Sequence, residues 1–455
     1  MVKNDLIASN YFIKTSGVQI DQITLKDLSI IDGAHSVFEL INKTTSSIGA
    51  HKLKQFLMRP PADYEALIQQ QEAVKFWLRH LEAWDTEISN GTLVMLKDFF
   101  EHADGLHYKP SSWLFAVDAA LQKVFNKNAY SLLQFSVHHL IDLVNGLQKI
   151  VNIHDEHMPP LVQNAMQVFA QFLAQDASKN LLALTKQSSL RALLHGGYQA
   201  RRSLKKYITS LYEQFALMDA WHAMAKAGTD LGFVMPVIYK EGTVNLQAYG
   251  LFHPLLAHPV PFDISFTQQK PMLFLTGANM SGKSTLLRSL GVSALLAHIG
   301  MPVPARQYEI GFLEGIITNM QVEDNIFNGE SYFFAEVKRM KITAEKISKG
   351  SRQLVLMDEL FKGTNVHDAY ECSKAVIQNL VAHKGNLYAL STHLYELYEE
   401  LSGMENIDFR YCNTNIDASG NFSFTYELKL GVSNDKIGYL VLQKEGVLDI
   451  LKQQH

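Results

Sequence analysis

Apolar side chains recur at three- and four-residue intervals from Ser36 to about Gly228, with few β-branched runs, and this spacing predicts helix after helix. Pro60 and Pro61 end one helix, Asp63 stands where it can cap the next, and Tyr64, Leu67, Ile68, Val74, Leu78 and Leu81 mark the buried stripe that follows. Met158-Pro159-Pro160 makes another break. From Leu204 to Ala227 the pattern is long, periodic and free of proline, as in a bundle helix or an extended lever. After Gly228 the pattern changes. Short apolar runs at Met272 to Thr276, Leu354 to Met357 and Leu387 to Ser391 alternate with amphipathic segments, which predicts a mostly parallel sheet covered on both faces. Residues 407–416 and 421–430 flank Asp417-Ala418-Ser419-Gly420, and the alternation of Phe422, Phe424, Tyr426 and Leu428 predicts an antiparallel hairpin.

Length and composition narrow this picture. A chain of 455 residues exceeds one ordinary core, so two or three domains are expected, with the main boundary near residue 233. The 47% apolar and 19% charged content excludes the profile of a disordered chain. A formal charge of -4 gives no global argument for nucleic acid, which needs a local excess of Lys and Arg. Arg201, Arg202, Lys205 and Lys206 form such a cluster, read first as a solvated helix face. Cys372 and Cys412 offer neither a disulfide framework nor metal-ligand spacing, which fits a reduced, cytoplasmic setting. The opening residues lack the apolar stretch of a signal peptide, and Arg288, Ser289 and His298 interrupt the run from Leu286 to Val303, so no membrane segment is expected.

The chemistry is concentrated in the second half. Gly277-Ala278-Asn279-Met280-Ser281-Gly282-Lys283-Ser284 fits G-x-x-x-x-G-K-[ST], after an apolar strand and before a helical run that Thr285 continues. Backbone N–H groups and a helix N-terminus there face negative charge, Lys283 reaches the β and γ oxygens of ATP, and Ser284 holds magnesium. Further on, the strand Leu354 to Met357 runs into Asp358-Glu359. Asp358 is assigned to the magnesium shell and Glu359 to orienting and deprotonating the attacking water. Leu387 to Ser391 runs into Thr392-His393, where His393 could sense or stabilise the γ-phosphate. Between these motifs, Asn328-Gly329-Glu330-Ser331 opens a helix through Val337, Met340, Ala344 and Ile347, and Ser331 is assigned to a partner's ATP.

Together these residues resemble the MutS family. Its P-loop, G-P-N-M-G-G-K-[ST], is matched by Asn279, Met280, Gly282, Lys283 and Ser284, with Ala278 in place of proline and Ser281 in place of glycine. Its D-D-L and G-x-S-x-F segment is similar to Asp324-Asn325-Ile326 and Gly329, Ser331, Phe333; its D-E-x-G-R-G-T to Asp358-Glu359-Leu360-Phe361-Lys362-Gly363-Thr364; its T-H to Thr392-His393. Phe361 and Lys362 depart from the pattern. In the helical half, Ser36 to Thr45 with Gly49, Leu53 and Pro60 resembles the start of the family's core domain, and Met218-Asp219-Ala220 with Pro236 and His253-Pro254 resembles its core-to-ATPase junction.

The resemblance implies a multidomain α and α/β fold: a helical core or lever domain over 1–232 and an ABC-type P-loop ATPase domain over 233–455. It implies an ATPase using ATP and Mg2+ in a homodimer with composite sites, with Lys283, Ser284, Asp358, Glu359 and His393 from one chain and Ser331 from the other. It implies engagement of mismatched or branched DNA and possible traffic with other repair proteins. No room is expected for the family's mismatch-reading and connector domains, and residues 90–200 are short for a full DNA clamp. The alternative is a nucleotide-gated scaffold that engages protein instead of DNA.

Overall fold

The computed structural model describes residues 18–31, 33, 35–84, 87–101, 127–240, 244–320, 332–416, 422–433 and 438–452. In chain order it begins with β1 (Gln19–Ile20) and continues through ten helices: α1 (Gln22–Asp27), α2 (Val37–Ile41), α3 (Ser47–Met58), α4 (Tyr64–Arg79), α5 (Asn90–Glu101), α6 (Lys127–Val151), α7 (Pro160–Leu173), α8 (Asp176–Leu182), α9 (Leu190–Leu204) and α10 (Ile208–Asp230). Asp63 caps α4, accepting from the Ala66 N–H at 2.8 Å, as its position before the stripe predicts. The long periodic segment is divided: a 3-10 turn at Lys205–Tyr207 separates α9 from α10, and Leu81 falls in another such turn beyond α4. Arg202, Lys205 and Lys206 are exposed at that joint, while Arg201 lies over the Phe99 ring at 5.4 Å.

Helix α10 is the axis of the helical half, contacting α3, α4 and α7. It carries Asp219, a fully buried carboxylate that accepts from the Thr45 N–H at 2.9 Å, the Thr45 hydroxyl at 3.1 Å, the Ser46 N–H at 3.0 Å and the Ser46 hydroxyl at 2.5 Å. Ser46 in turn caps α3 by accepting from the Gly49 N–H at 3.1 Å. One side chain of α10 thereby holds the capped start of α3. On the same helix His222 stacks on Trp84, which meets Trp77 edge to face at 5.2 Å.

The second half contains β2 (Val237–Tyr239), β3 (Val244–Leu251), β4 (Phe262–Thr267), β5 (Met272–Thr276), α11 (Lys283–His298), β6 (Gln307–Gly311), β7 (Gly315–Asn319), α12 (Tyr332–Ser348), β8 (Gln353–Asp358), α13 (Val366–Leu380), β9 (Leu387–Ser391), α14 (Leu397–Leu401), β10 (Ile407–Ile416), β11 (Phe422–Leu430), α15 (Gly438–Lys444) and α16 (Val447–Lys452). Seven strands form one sheet in the order β1-β7-β8-β9-β5-β10-β11, parallel except for the β10/β11 hairpin. A smaller mixed sheet runs β2-β6-β3-β4.

Side chains alternate across the large sheet, as a strand covered on both faces requires. Leu273, Leu275, Leu354, Leu356, Leu387 and Ala389 enter the cluster that contains α11 and the helical half. Met272, Phe274, Val355, Met357, Tyr388 and Leu390 enter a second cluster with residues of α12, α13 and α14. The first cluster runs unbroken from Trp77 and Met224 to Leu295 and Ile316. Helix α4 is pinned to the second half by Gln70, which donates to the Ile299 carbonyl at 2.7 Å, and by Gln71, which donates to the Pro236 carbonyl at 2.9 Å. Strand β1, from the N-terminal side of the expected 232/233 division, pairs in parallel with β7, so the chain crosses that expected boundary more than once.

Candidate nucleotide site

Strand β5 is buried along its whole length and delivers the chain to Gly277 at the carboxyl end of the sheet, where α/β folds place their ligands. The loop turns on Gly282, the residue before α11, at φ 98°. That dihedral favours glycine, and a Cβ there would come within 3.1 Å of the Tyr426 ring. Lys283 opens α11 with only 6% of its surface exposed, and its Nζ donates to the carbonyls of Gly277 at 2.8 Å and Ala278 at 3.0 Å. Burial pushes its ammonium pKa down, opposed by Glu359 and, more weakly, by Cys412 and Asp358. A buried cation held by carbonyl dipoles, at a helix start and without a carboxylate in hydrogen-bond range among its described contacts, is a donor set that suits phosphate oxygens.

The carboxyl ends of β8 and β9 lie in register beside β5, with Ser391 opposite Asp358 and beside Leu275. The Ser391 hydroxyl donates to Asp358 Oδ1 at 2.6 Å, and the Glu359 N–H donates to the Ser391 carbonyl at 2.8 Å. Glu359 adopts φ 58°, in the left-handed region that costs a non-glycine residue on the order of 1 kcal/mol, and Phe361 follows at φ 61°. The turn aims the Glu359 carboxylate at two nitrogen donors: His393 Nε2 at 2.8 Å from Oε1 and Lys362 Nζ at 3.3 Å from Oε2. The hydrogen bond from His393 is the main influence, helped by Lys362 and opposed by burial, and it holds the Glu359 carboxyl down at about 2.

A cleft of about 440 Å³ joins these parts. Asn279, Met280, Ser281, Gly282, Lys283, Ser284, Thr285 and Glu359 line it, and Leu256, Pro259 and Val260 ahead of β4 add apolar lining. Ala278 is buried beside it, and Met280 is 71% exposed at its mouth. Of the residues picked from sequence, Lys283, Ser284 and Glu359 share this cleft, and Asp358 and His393 adjoin it through Ser391 and Glu359. Ser331, with Asp324-Asn325-Ile326 and Gly329, lies outside the described residues. Among the described residues no His, Cys, Asp and Glu group forms a ready-made metal cluster, and no helix is long and apolar enough to cross a membrane.

Sequence reasoning placed Tyr426 in the alternation of the hairpin and did not assign it to the site, whose cleft it lines. It stands at φ 57° beside the irregular register between Cys412 and Thr414, turned out of the β11 alternation and over Gly282. The unevenness of that strand's burial is its only trace. Cys412, beneath the loop, is buried, and its thiol is pushed up to about 11 chiefly by that burial.

The family model for MutS domain V matches residues 273–453, which begin in β5 and contain every described motif of the site. Residues 273–453 carry a MutS domain V. Its relatives include the DNA mismatch repair protein msh3 of Emericella nidulans, 28% identical over 65% of this chain and 26% of that protein. The DNA mismatch repair protein MutS of Lactococcus lactis subsp. cremoris is 27% identical over 64% of this chain and 35% of its own. The MutS of Porphyromonas gingivalis is 24% identical over 94% of this chain and 59% of its own length. The chain spans about a quarter to three-fifths of the length of these curated relatives.

Proposed function

We propose that this chain is a magnesium-dependent ATPase of the MutS type that works as a homodimer with composite sites and couples nucleotide state to DNA engagement. The observation that carries the reading is the convergence of Lys283, Ser284 and the Glu359 carboxylate on one cleft at the carboxyl ends of β5, β8 and β9. Gly277 to Thr285 would cradle the triphosphate, and Ser284 and Asp358 would hold Mg2+, which when bound offsets charge on the phosphate oxygens. Glu359, kept ionised by His393 and Lys362, would orient the attacking water and take its proton. His393 would donate toward developing charge at the terminal phosphate. The apolar lining at Pro259 and Val260 suits the flat face of a base.

The domain assignment is 1–232 for the core or lever and 233–455 for the ATPase, with α10 and the Gln70 and Gln71 contacts as the mechanical link. Dimerisation is favoured by exposed apolar side chains on α15 and α16, among them Tyr439, Leu442, Ile450 and Leu451, which call for cover. Ser331 is assigned to the partner's nucleotide. Mixing Ser331→Ala with Lys283→Ala protein should form heterodimers carrying one intact site, with hydrolysis above either parent; a mixture no more active than its parents contradicts the composite arrangement. DNA engagement is tested on homoduplex, mismatched and branched duplexes across a salt series, with affinity expected to fall as salt rises. No binding at low salt favours a protein-engaging scaffold instead.

A further inference from the structure

The loop that carries Glu359 into the site is shaped by α12 through several independent contacts. Glu336, on the second turn of α12, accepts from the Lys362 N–H with Oε1 at 3.1 Å and from the Gly363 N–H with Oε2 at 3.0 Å. Phe333, one turn earlier, meets the buried Phe361 ring edge to face at 5.9 Å. Gly363 sits so close to α12 that a Cβ on it would lie 2.5 Å from the Phe333 nitrogen. The segment so gripped is the one with left-handed dihedrals at Glu359 and Phe361, and it ends on Lys362, whose Nζ reaches Glu359.

We propose that Glu336 is a positioning residue for ATP hydrolysis: its two carboxylate oxygens clamp the backbone of Lys362 and Gly363 and thereby set the aim of Glu359. The inference rests on the assignment of Glu359 as the water-activating carboxylate. Two adjacent N–H groups need two acceptors, which an ionised carboxylate supplies and an amide does not, because a glutamine would turn an NH2 toward one of the donors. Without the clamp, a strained turn has less to hold it and relaxes toward ordinary dihedrals. Glu336 lines a small cleft on the α12 side of the turn, together with Arg339, Asp358 and Lys362, and is not among the residues lining the nucleotide cleft, so its effect should fall on turnover and spare binding.

The test compares Glu336→Ala, Glu336→Gln, Glu359→Gln and the double variant Glu336→Gln with Glu359→Gln in full-length protein, reading kcat, KM for ATP and magnesium-ATP affinity. Both Glu336 variants should lose about tenfold or more in kcat with KM and affinity little changed, the size of effect expected from a displaced reacting group. The near-isosteric Gln variant keeps the result readable if the Ala variant folds poorly. In the double variant, Glu336→Gln should add no further loss to Glu359→Gln, since it acts through that residue. Wild-type kcat in Glu336→Gln, or a raised KM with kcat intact, overturns the proposal while Glu359→Gln remains inactive; normal turnover in Glu359→Gln defeats the underlying assignment and this one with it.

Discussion

His393 Nε2 lies 2.8 Å from Glu359 Oε1, joining the residues that follow two neighbouring strands of the sheet into one hydrogen-bonded pair. This bond is the main reason that the Glu359 carboxyl sits at about 2 in place of 4.5. In His393→Ala the carboxyl should move back up toward 4.5, so activity that depends on the ionised form should be lost at a higher pH on acidification. The acid limb of kcat/KM, followed from about pH 8 to about pH 4, should shift upward in the variant. Coincident limbs contradict the pairing.

Lys283→Ala removes a buried ammonium that the Gly277 and Ala278 carbonyls hold in place. Magnesium-ATP affinity should fall by about tenfold to a hundredfold, the worth of charge-assisted hydrogen bonds to phosphate. Equilibrium titration with a fluorescent ATP analogue measures it, and unchanged affinity excludes the assigned contact.

Asp21→Asn probes the attachment of the N-terminal segment. Asp21 caps α1 through the Thr24 N–H and also takes Arg339 NH1 at 2.7 Å and NH2 at 3.1 Å. Asparagine keeps the cap and loses the ion pair, which should cost about 2 kcal/mol by urea unfolding at neutral pH. Burial alone would raise the Asp21 carboxyl, but Arg339 and Thr24 outweigh it and bring it to about 2 from 3.8. The stabilisation is therefore complete above 3.8 and fades as pH falls toward 2, a loss the variant should not share. Equal stability at neutral pH removes the structural role.

Asp219→Ala leaves the donors of Thr45 and Ser46 without their buried acceptor. Unfolding free energy should drop by about 3 kcal/mol or more, with loss of helical signal at lower urea. A change of about 0.5 kcal/mol or less, the usual range for surface substitutions, contradicts the packing described around α10.

Periodicity carries the reading of this chain where burial is one-sided or complete. β5 and β9 occur at the bounds that their apolar runs predict, and β8 extends its run by one residue at each end. The small sheet and β1 escape it. β1 has two residues, too few for any period, and exists because β7 offers an open edge. The loop before α11 and the Asp358-Glu359 pair stand out in the sequence as fixed residue types at fixed spacing, and the fold brings Lys283, Ser284 and Glu359 to one cleft. Lys362, Glu336 and Tyr426 do not stand out, because their positions depend on left-handed dihedrals at Glu359, Phe361 and Tyr426, residue types that rarely take them. Asp219 stood out only through resemblance; its partners at Thr45 and Ser46 lie some 170 residues away in the chain.

Glu359→Gln tests the central claim most directly, with bound nucleotide and steady-state phosphate release measured on one preparation beside wild type. Glutamine fills the same volume but cannot take a proton from water, so the variant should retain magnesium-ATP with near-native affinity while phosphate release falls by about a hundredfold or more. Wild-type phosphate release from that variant, or no magnesium-ATP bound by either protein, would contradict the account.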